Sequence, residues 1–502
     1  MSTWVSSGWY ETIPHWIDSG PSTAGLFFDW TGGGFGSGAD DDATANLVGY
    51  TIIRGSDPVI TGAATPGSMV ITLNSPDNIY NPSNAAGPLY GMLHDGIPVW
   101  LGIGADGTFS DSTYYGLFGG LVTDISVIPQ AGAMTAPQVE ITFEDKLNWY
   151  GRQNVNIADS TTRSQKDLRQ AILDAVGETS YVLANEIWTL PLSSASGDAL
   201  SMLSELNGAN GTRHWIQPGP TAADWYAYRT INRLENLTGT ADATLSAADD
   251  HVTSLSGWTL SGSGVMNQQS VVVQPIDFPL GLGTVWTYVG ALPLIVVSGA
   301  DQTIWANFDD YVKDPIVTSL HTGGALTATL TPFGTTAMIV LTSSGTTTIT
   351  SLTIEGHMVE RLPAVTVTVD DATSEALPRG VRVAPTIQGD DVGVAAMAEG
   401  IAGAIVWRYA QPLFRPSVTV TNWFPYMFSL ELFSIISFSS PQLAVSDLLM
   451  ELVGITLNGI RAADGAVYHT ATLSLAQSRV QSDPGWFILN VSELDSAAIL
   501  AY

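Results

Sequence analysis

The sequence predicts a mainly β protein, and three observations carry that expectation. Short runs rich in Val, Ile, Thr and aromatic residues recur along all 502 residues, separated by Gly, Pro, Asn and Asp. Several of these runs alternate apolar and polar side chains with a period of two, which turns one face of each strand toward a core. Helical periodicity is confined to three short segments, which serve as supports for sheets.

Taken in chain order, residues 31–42 (TGGGFGSGADDD) have no apolar periodicity and read as a surface loop before a strand over 48–53. Val70-Ile71-Thr72-Leu73 and Val139-Glu140-Ile141-Thr142-Phe143 are alternating strands. Residues 164–177 place Leu168, Ile172, Leu173 and Val176 on one helical face, behind a Ser or Thr cap and before a closing Gly. Residues 198–206 form a second helix ending at Asn207-Gly208, followed by a strand-turn-strand pattern over 211–229. Between Arg233 and Arg361 the only basic residue is Lys313, and runs at 271–273, 294–297, 325–330, 337–341 and 347–354 predict a β-sandwich. A strand at 365–369, an Ala-rich helix at 392–407 weakened by three glycines, a strand at 418–421 and a closing pair at 465–475 and 485–489 complete the chain.

The composition narrows the function. With 17 Lys+Arg against 47 Asp+Glu the net charge is −30, yet charged residues are only 13% of the chain, about half the usual ~25%. The acidity therefore reflects missing cations. So few cations cannot neutralise many phosphates, which argues against tight nucleic-acid binding. Few charges and 15 Trp suit a subunit that hides surface in an assembly, where interface cores are charge-poor and aromatic-rich. No uninterrupted apolar run reaches the ~18 residues of a spanning helix, so no membrane insertion is expected. The opening residues MSTWVSSGWYETIPHW lack the basic and apolar regions of a signal peptide, giving an expectation of assembly in the cytoplasm. With no cysteine, disulfides and thiolate chemistry are excluded.

Candidate chemistry is sparse. The seven histidines show no zinc-site spacing, no two lying within four residues of each other. Asp40-Asp41-Asp42 and Asp309-Asp310 lack the alternating ligands and turn glycine of a calcium loop. The Gly-rich strings at 32–36 and 261–264 lead into no helix, so neither is a phosphate loop nor a nucleophile elbow. The expectation is no enzyme, no metal and no cofactor. Trp258, Trp286 and Trp305 could stack on sugar rings, which makes glycan recognition through residues 239–362 the alternative function.

Within 52–149 a series of short motifs follows in order: Arg54-Gly55 after a first strand, Leu73-Asn74 closing another, Asn81-Pro82 before Pro88-Leu89, Gly96-Ile97-Pro98-Val99 opening the next, Leu117-Phe118-Gly119-Gly120, and Asp145 before Lys146-Leu147. Their order and spacing resemble the opening barrel of the tail-tip, or baseplate hub, minor tail proteins of long-tailed bacteriophages. The resemblance implies two tail-tube-like β-barrels with a small α/β unit and an inserted sandwich, divided as 1–155, 156–238, 239–362 and 363–502. Arg54, Gly55, Leu73, Asn74, Asn81, Pro82, Gly96, Pro98, Leu117, Phe118, Gly120 and Asp145 would then be structural positions. It further implies a virion subunit at the tail tip, acting as a homotrimer. Its partners would be a distal tail or tail-tube ring, the tape-measure protein and tip fibres or receptor-binding proteins, with DNA passing through unbound.

Overall fold

The computed structural model describes residues 23–35, 41–56, 64–104, 114–128, 137–157, 164–184, 195–210, 212–219, 224–232, 240–258, 260–262, 264–277, 281–333, 335–388, 395–421, 423, 426–462 and 467–478. Residues 36–40 of the Gly-rich loop, 392–394 of the third helix and the strand expected at 485–489 lie outside them.

The chain is mainly β, as its alternating runs predict, and its largest element is one twelve-stranded sheet. Six strands come from the N-terminal part: β1 (Thr23–Phe28), β2 (Leu47–Ser56), β3 (Ala64–Asn74), β4 (Pro98–Gly104), β5 (Tyr114–Ile128) and β6 (Gln138–Glu144). They are ordered β1-β4-β5-β6-β3-β2, and the sheet continues through Val445–Arg461, Val467–Gln477, Ser417–Thr421 and Val252–Ser256. Ile435–Ser440 and Ala243–Ser246 extend it to one side. Period-two alternation turns Met69, Ile71 and Leu73 of β3 inward, opposite Phe143, Ile141 and Val139 of β6. These side chains share one core with Val418, Phe438, Leu457 and Leu473 from the far end of the sequence.

The two closed barrels implied by the resemblance are not formed among the described residues. The free edge of β2 is taken up by Val445–Arg461, in antiparallel register from Gly49↔Ile460 to Gly55↔Gly454. That strand spans 17 residues, long enough to serve two partners along one edge: its first half pairs with Ile435–Ser440 and its second half with β2, while its other edge pairs with Val467–Gln477. Once β2 is paired in this way it has no edge left to close the N-terminal half on itself.

Three smaller units attach to the sheet. α1 (Lys146–Tyr150), α2 (Gln165–Ala175) and α3 (Ala199–Asn210) pack with a hairpin of Thr212–Pro218 and Tyr226–Asn232 around Leu168, Ile172, Leu203 and Tyr228. α2 starts at a reciprocal capping box between Ser164 and Asp167, which satisfies two of the orphan amide groups at a helix start. Within 281–361 two sheets enclose Val296, Ile304, Ile339, Leu341, Leu352 and Ile354. The helix Ala395–Tyr409 lies on strands Gln268–Val273 and Val365–Asp370 through Ile401, Ile405, Val271, Val273 and Val369. No helix among the described residues is long and apolar enough to cross a membrane.

Candidate functional site

The seam between β2 and Val445–Arg461 gathers several hydrogen-bonded polar side chains. Tyr50 on β2 places its hydroxyl 2.8 Å from Nδ1 of His469, and Thr51 donates to Oδ1 of Asn458 at 2.8 Å. Arg461 donates to the backbone carbonyls of Thr44 and Ala45 at 2.6 and 3.0 Å. Arg54 is turned inward and donates from Nη1 to Oε2 of Glu431 at 2.7 Å. Burial raises the Glu431 carboxyl above its ordinary range, and the charge on Arg54 only partly opposes this. Burial likewise lowers His469 to about 3, so its ring is neutral, with Phe428 edge-on against it. These contacts connect residues about 400 positions apart, so the two halves of the sheet are held side chain to side chain as well as strand to strand.

Asp145 sits beside this seam at the start of α1. Its two carboxylate oxygens accept from Leu147 N at 2.9 Å and from Gly67 N at 2.6 Å, so it both caps the helix and pins β3. Burial pushes its pKa up to about 7, while the two amide bonds and the nearby Arg54 pull it the other way. A second ionic contact anchors the helix Ala395–Tyr409: Arg408 donates to Glu451 of Val445–Arg461, with both side chains 5% exposed.

The motif positions fall into three groups. Arg54, Gly55 and Asp145 converge at the seam, as described. Gly96, Pro98, Leu117, Phe118 and Gly120 organise the β4-β5 hairpin. Gly96 turns with φ +82°, a conformation open to glycine at no steric cost, and its amide donates to Val122 O at 2.8 Å. Leu117 and Phe118 are core residues. The neighbouring Gly119 lies directly under the backbone of Trp225, where any Cβ would collide with the Trp225 carbonyl. That bare patch lets the Thr212–Asn232 hairpin settle on the sheet, where Trp100 Nε1 donates to Gly219 O at 3.0 Å. Leu73, Asn74, Asn81 and Pro82 lead into and shape the loop before Gly96. Leu73 is buried, Asn74 accepts from Gln138 at 3.3 Å, and Asn81 holds an Asx turn by accepting from Ser83 N at 2.9 Å.

The three tryptophans do not share a surface. Trp258 is half-buried against the main core, stacked on Phe414 with centroids 4.7 Å apart. Trp286 is half-buried in the sandwich beside Tyr288. Trp305 is 54% exposed and stacks on Phe333. No group of three or more His, Asp or Glu among the described residues is placed to hold a metal ion.

Sequence reasoning missed Glu431, Arg408, Glu451 and Phe333. In a chain this poor in cations, a buried arginine needs a carboxylate, so Arg54 and Arg408 were the available signal; the identity of each partner was not local. Among the strands of the long sheet from β5 to Ser417–Thr421 there is no lysine, and the only arginines, Arg54 and Arg461, are bound as above.

No protein-family model matches the sequence, and no curated protein does. Solved structures similar in chain path include the tail protein from Neisseria meningitidis, at 10% identity and TM-score 0.46, covering 92% of this chain and 98% of that one. Another is the 43 kDa tail protein of prophage MuSo2 from Shewanella oneidensis, at 10% identity and TM-score 0.45, covering 90% and 97%. A third is prophage tail protein gp18 from Listeria monocytogenes, at 9% identity and TM-score 0.41, covering 92% and 95%.

Proposed function

We propose that this chain is a structural subunit of a phage tail tip, a baseplate hub that closes the distal end of the tail tube. One observation carries the reading most directly: a single chain holds two sets of antiparallel strands in one continuous sheet over one core. An adaptor between a six-fold tube and a three-fold tip requires such a subunit, because three copies then present six strand sets. The motif series that resembles the hub family supports the same reading. Its Arg54 and Asp145 stand at the junction of the two sets, where loss of register would be most damaging.

The outward face of the central strands suits a channel wall. Thr51, Thr72, Thr142, Thr456, Thr470 and Thr472 occupy the positions that alternate with the buried ones, together with Glu140. Exposed Ile53, Ile460 and Tyr468 share that face, and neither they nor its hydroxyls and carboxylate give passing DNA a counter-charge to adhere to. In this proposal the subunit acts mechanically, with the tube ring and tape-measure protein above it and fibre or receptor-binding proteins below.

The reading is tested on virions that carry the chain. Gold-labelled antibody against the full-length protein is expected at the tail end far from the capsid. Labelling along the tail shaft or on the head would contradict it.

A further inference from the structure

The sandwich within 281–361 has one sheet whose three strands, Gln302–Asn307, Leu326–Phe333 and Thr336–Ser343, contain no charged residue at all. Their inward side chains, including Ile304, Ile339 and Leu341, build the local core. Their outward side chains form a flat face with an aromatic centre. Trp305 is 54% exposed there and stacks on Phe333 with ring centroids 5.8 Å apart and planes 29° from parallel. Met338 lies on the middle strand directly beside Trp305 in the register. Thr303, Asn307 and Thr329 surround this centre and are exposed.

We propose that this face binds an uncharged polysaccharide, with the exposed ring of Trp305 as the platform on which a pyranose ring stacks and Phe333 as the ring that backs it. The chemistry favours that occupant for three reasons. A sugar ring offers a flat C–H face to an aromatic plane and hydroxyls around its rim, and the site offers the exposed plane of Trp305 edged by Thr hydroxyls and the Asn307 amide. An ordered sheet holds the rings in place, so little side-chain entropy is lost on binding. The charge selects a neutral polymer: the face has no cation to attract an anionic glycan, and the chain's charge of −30 repels one. Trp258 and Trp286 do not contribute, since each is packed against other side chains. The site is independent of the tail-tip reading, because a chain outside a virion would present it equally.

The test uses the purified full-length protein and three neutral hexasaccharide probes, of N-acetylglucosamine, of α-linked glucose and of β-linked mannose, followed by tryptophan fluorescence and by calorimetry. Saturable binding to at least one probe is expected, weakened about tenfold or more by Trp305→Ala and unchanged by Trp286→Phe. Phe333→Leu, which removes the ring that Trp305 stacks on, should weaken it as well. No binding to any probe would overturn the proposal, and so would binding that survives Trp305→Ala. A change in the protein's mass in solution on Trp305→Ala, without a change in probe binding, would assign the face to contact with a second copy instead.

Discussion

Arg408→Ala is expected to lower stability by about 3–5 kcal/mol, the range for removing one partner of a buried ion pair. Both members of the Arg408–Glu451 pair are 4% exposed, so Glu451 would lose its guanidinium partner while staying buried between the helix Ala395–Tyr409 and the long strand Val445–Arg461. Burial opposes the charge on Arg408, and the carboxylate and hydrogen bond of Glu451 override it, which raises the guanidinium pKa. The urea midpoint reported by tryptophan fluorescence should fall accordingly. The double variant Arg408→Met with Glu451→Met should recover most of the loss, because it removes both charges and retains apolar volume. A double variant as unstable as Arg408→Ala would contradict this, because the loss would then persist with neither charge present and the apolar volume kept.

The second large effect concerns Asp145, and it carries a pH signature. Asp145→Ala takes the acceptor away from two backbone amides, those of Gly67 and Leu147. At about 1–3 kcal/mol for each unsatisfied buried group, the cost should be about 2–6 kcal/mol. The carboxyl is raised from 3.8 to about 7 in the folded protein, so the folded state favours its protonated form. Its contribution is therefore complete below pH 3.8 and is lost as the pH rises through 7. The penalty for Asp145→Ala should thus be larger at pH 5 than at pH 7.5. His469 runs in the opposite sense: its pKa is depressed from 6.5 to about 3, so its contribution is present above pH 6.5 and lost on acidification. Comparing variant with wild type at each pH cancels the His469 trend and isolates Asp145. A penalty that grows with rising pH would mean that the two amides and Arg54 outweigh burial, and that the group is an ordinary stabilised carboxylate.

How much of this was legible in the sequence depended on distance along the chain. The strands around Ile71 and Ile141 were readable because each buries one face and exposes the other, leaving a period of two. The helix at Gln165–Ala175 was readable from its cap and its spacing of Leu168, Ile172 and Leu173. The long strand Val445–Arg461 was harder, since residues 450–453 are all buried and the alternation is lost there. Its pairing with β2 was not readable, because no local signal specifies a partner some 400 residues away. The same limit applied to the site. Arg54 and Asp145 stood out as motif positions, whereas Glu431, 377 residues from Arg54, did not. The expectation of two closed barrels followed family likeness, and the pairing that opens them into one sheet lies in that same long-range contact. Among the tryptophans, composition could not distinguish Trp305 from Trp258; only burial does.

In the proposed role one chain supplies two strand sets to a three-fold tip. The mass of the purified full-length protein in solution tests it most directly. Three copies of a 53.1 kDa chain give about 159 kDa, and that species is the expected result. A stable two-copy or four-copy species would contradict the account, because neither can present six strand sets to the tube.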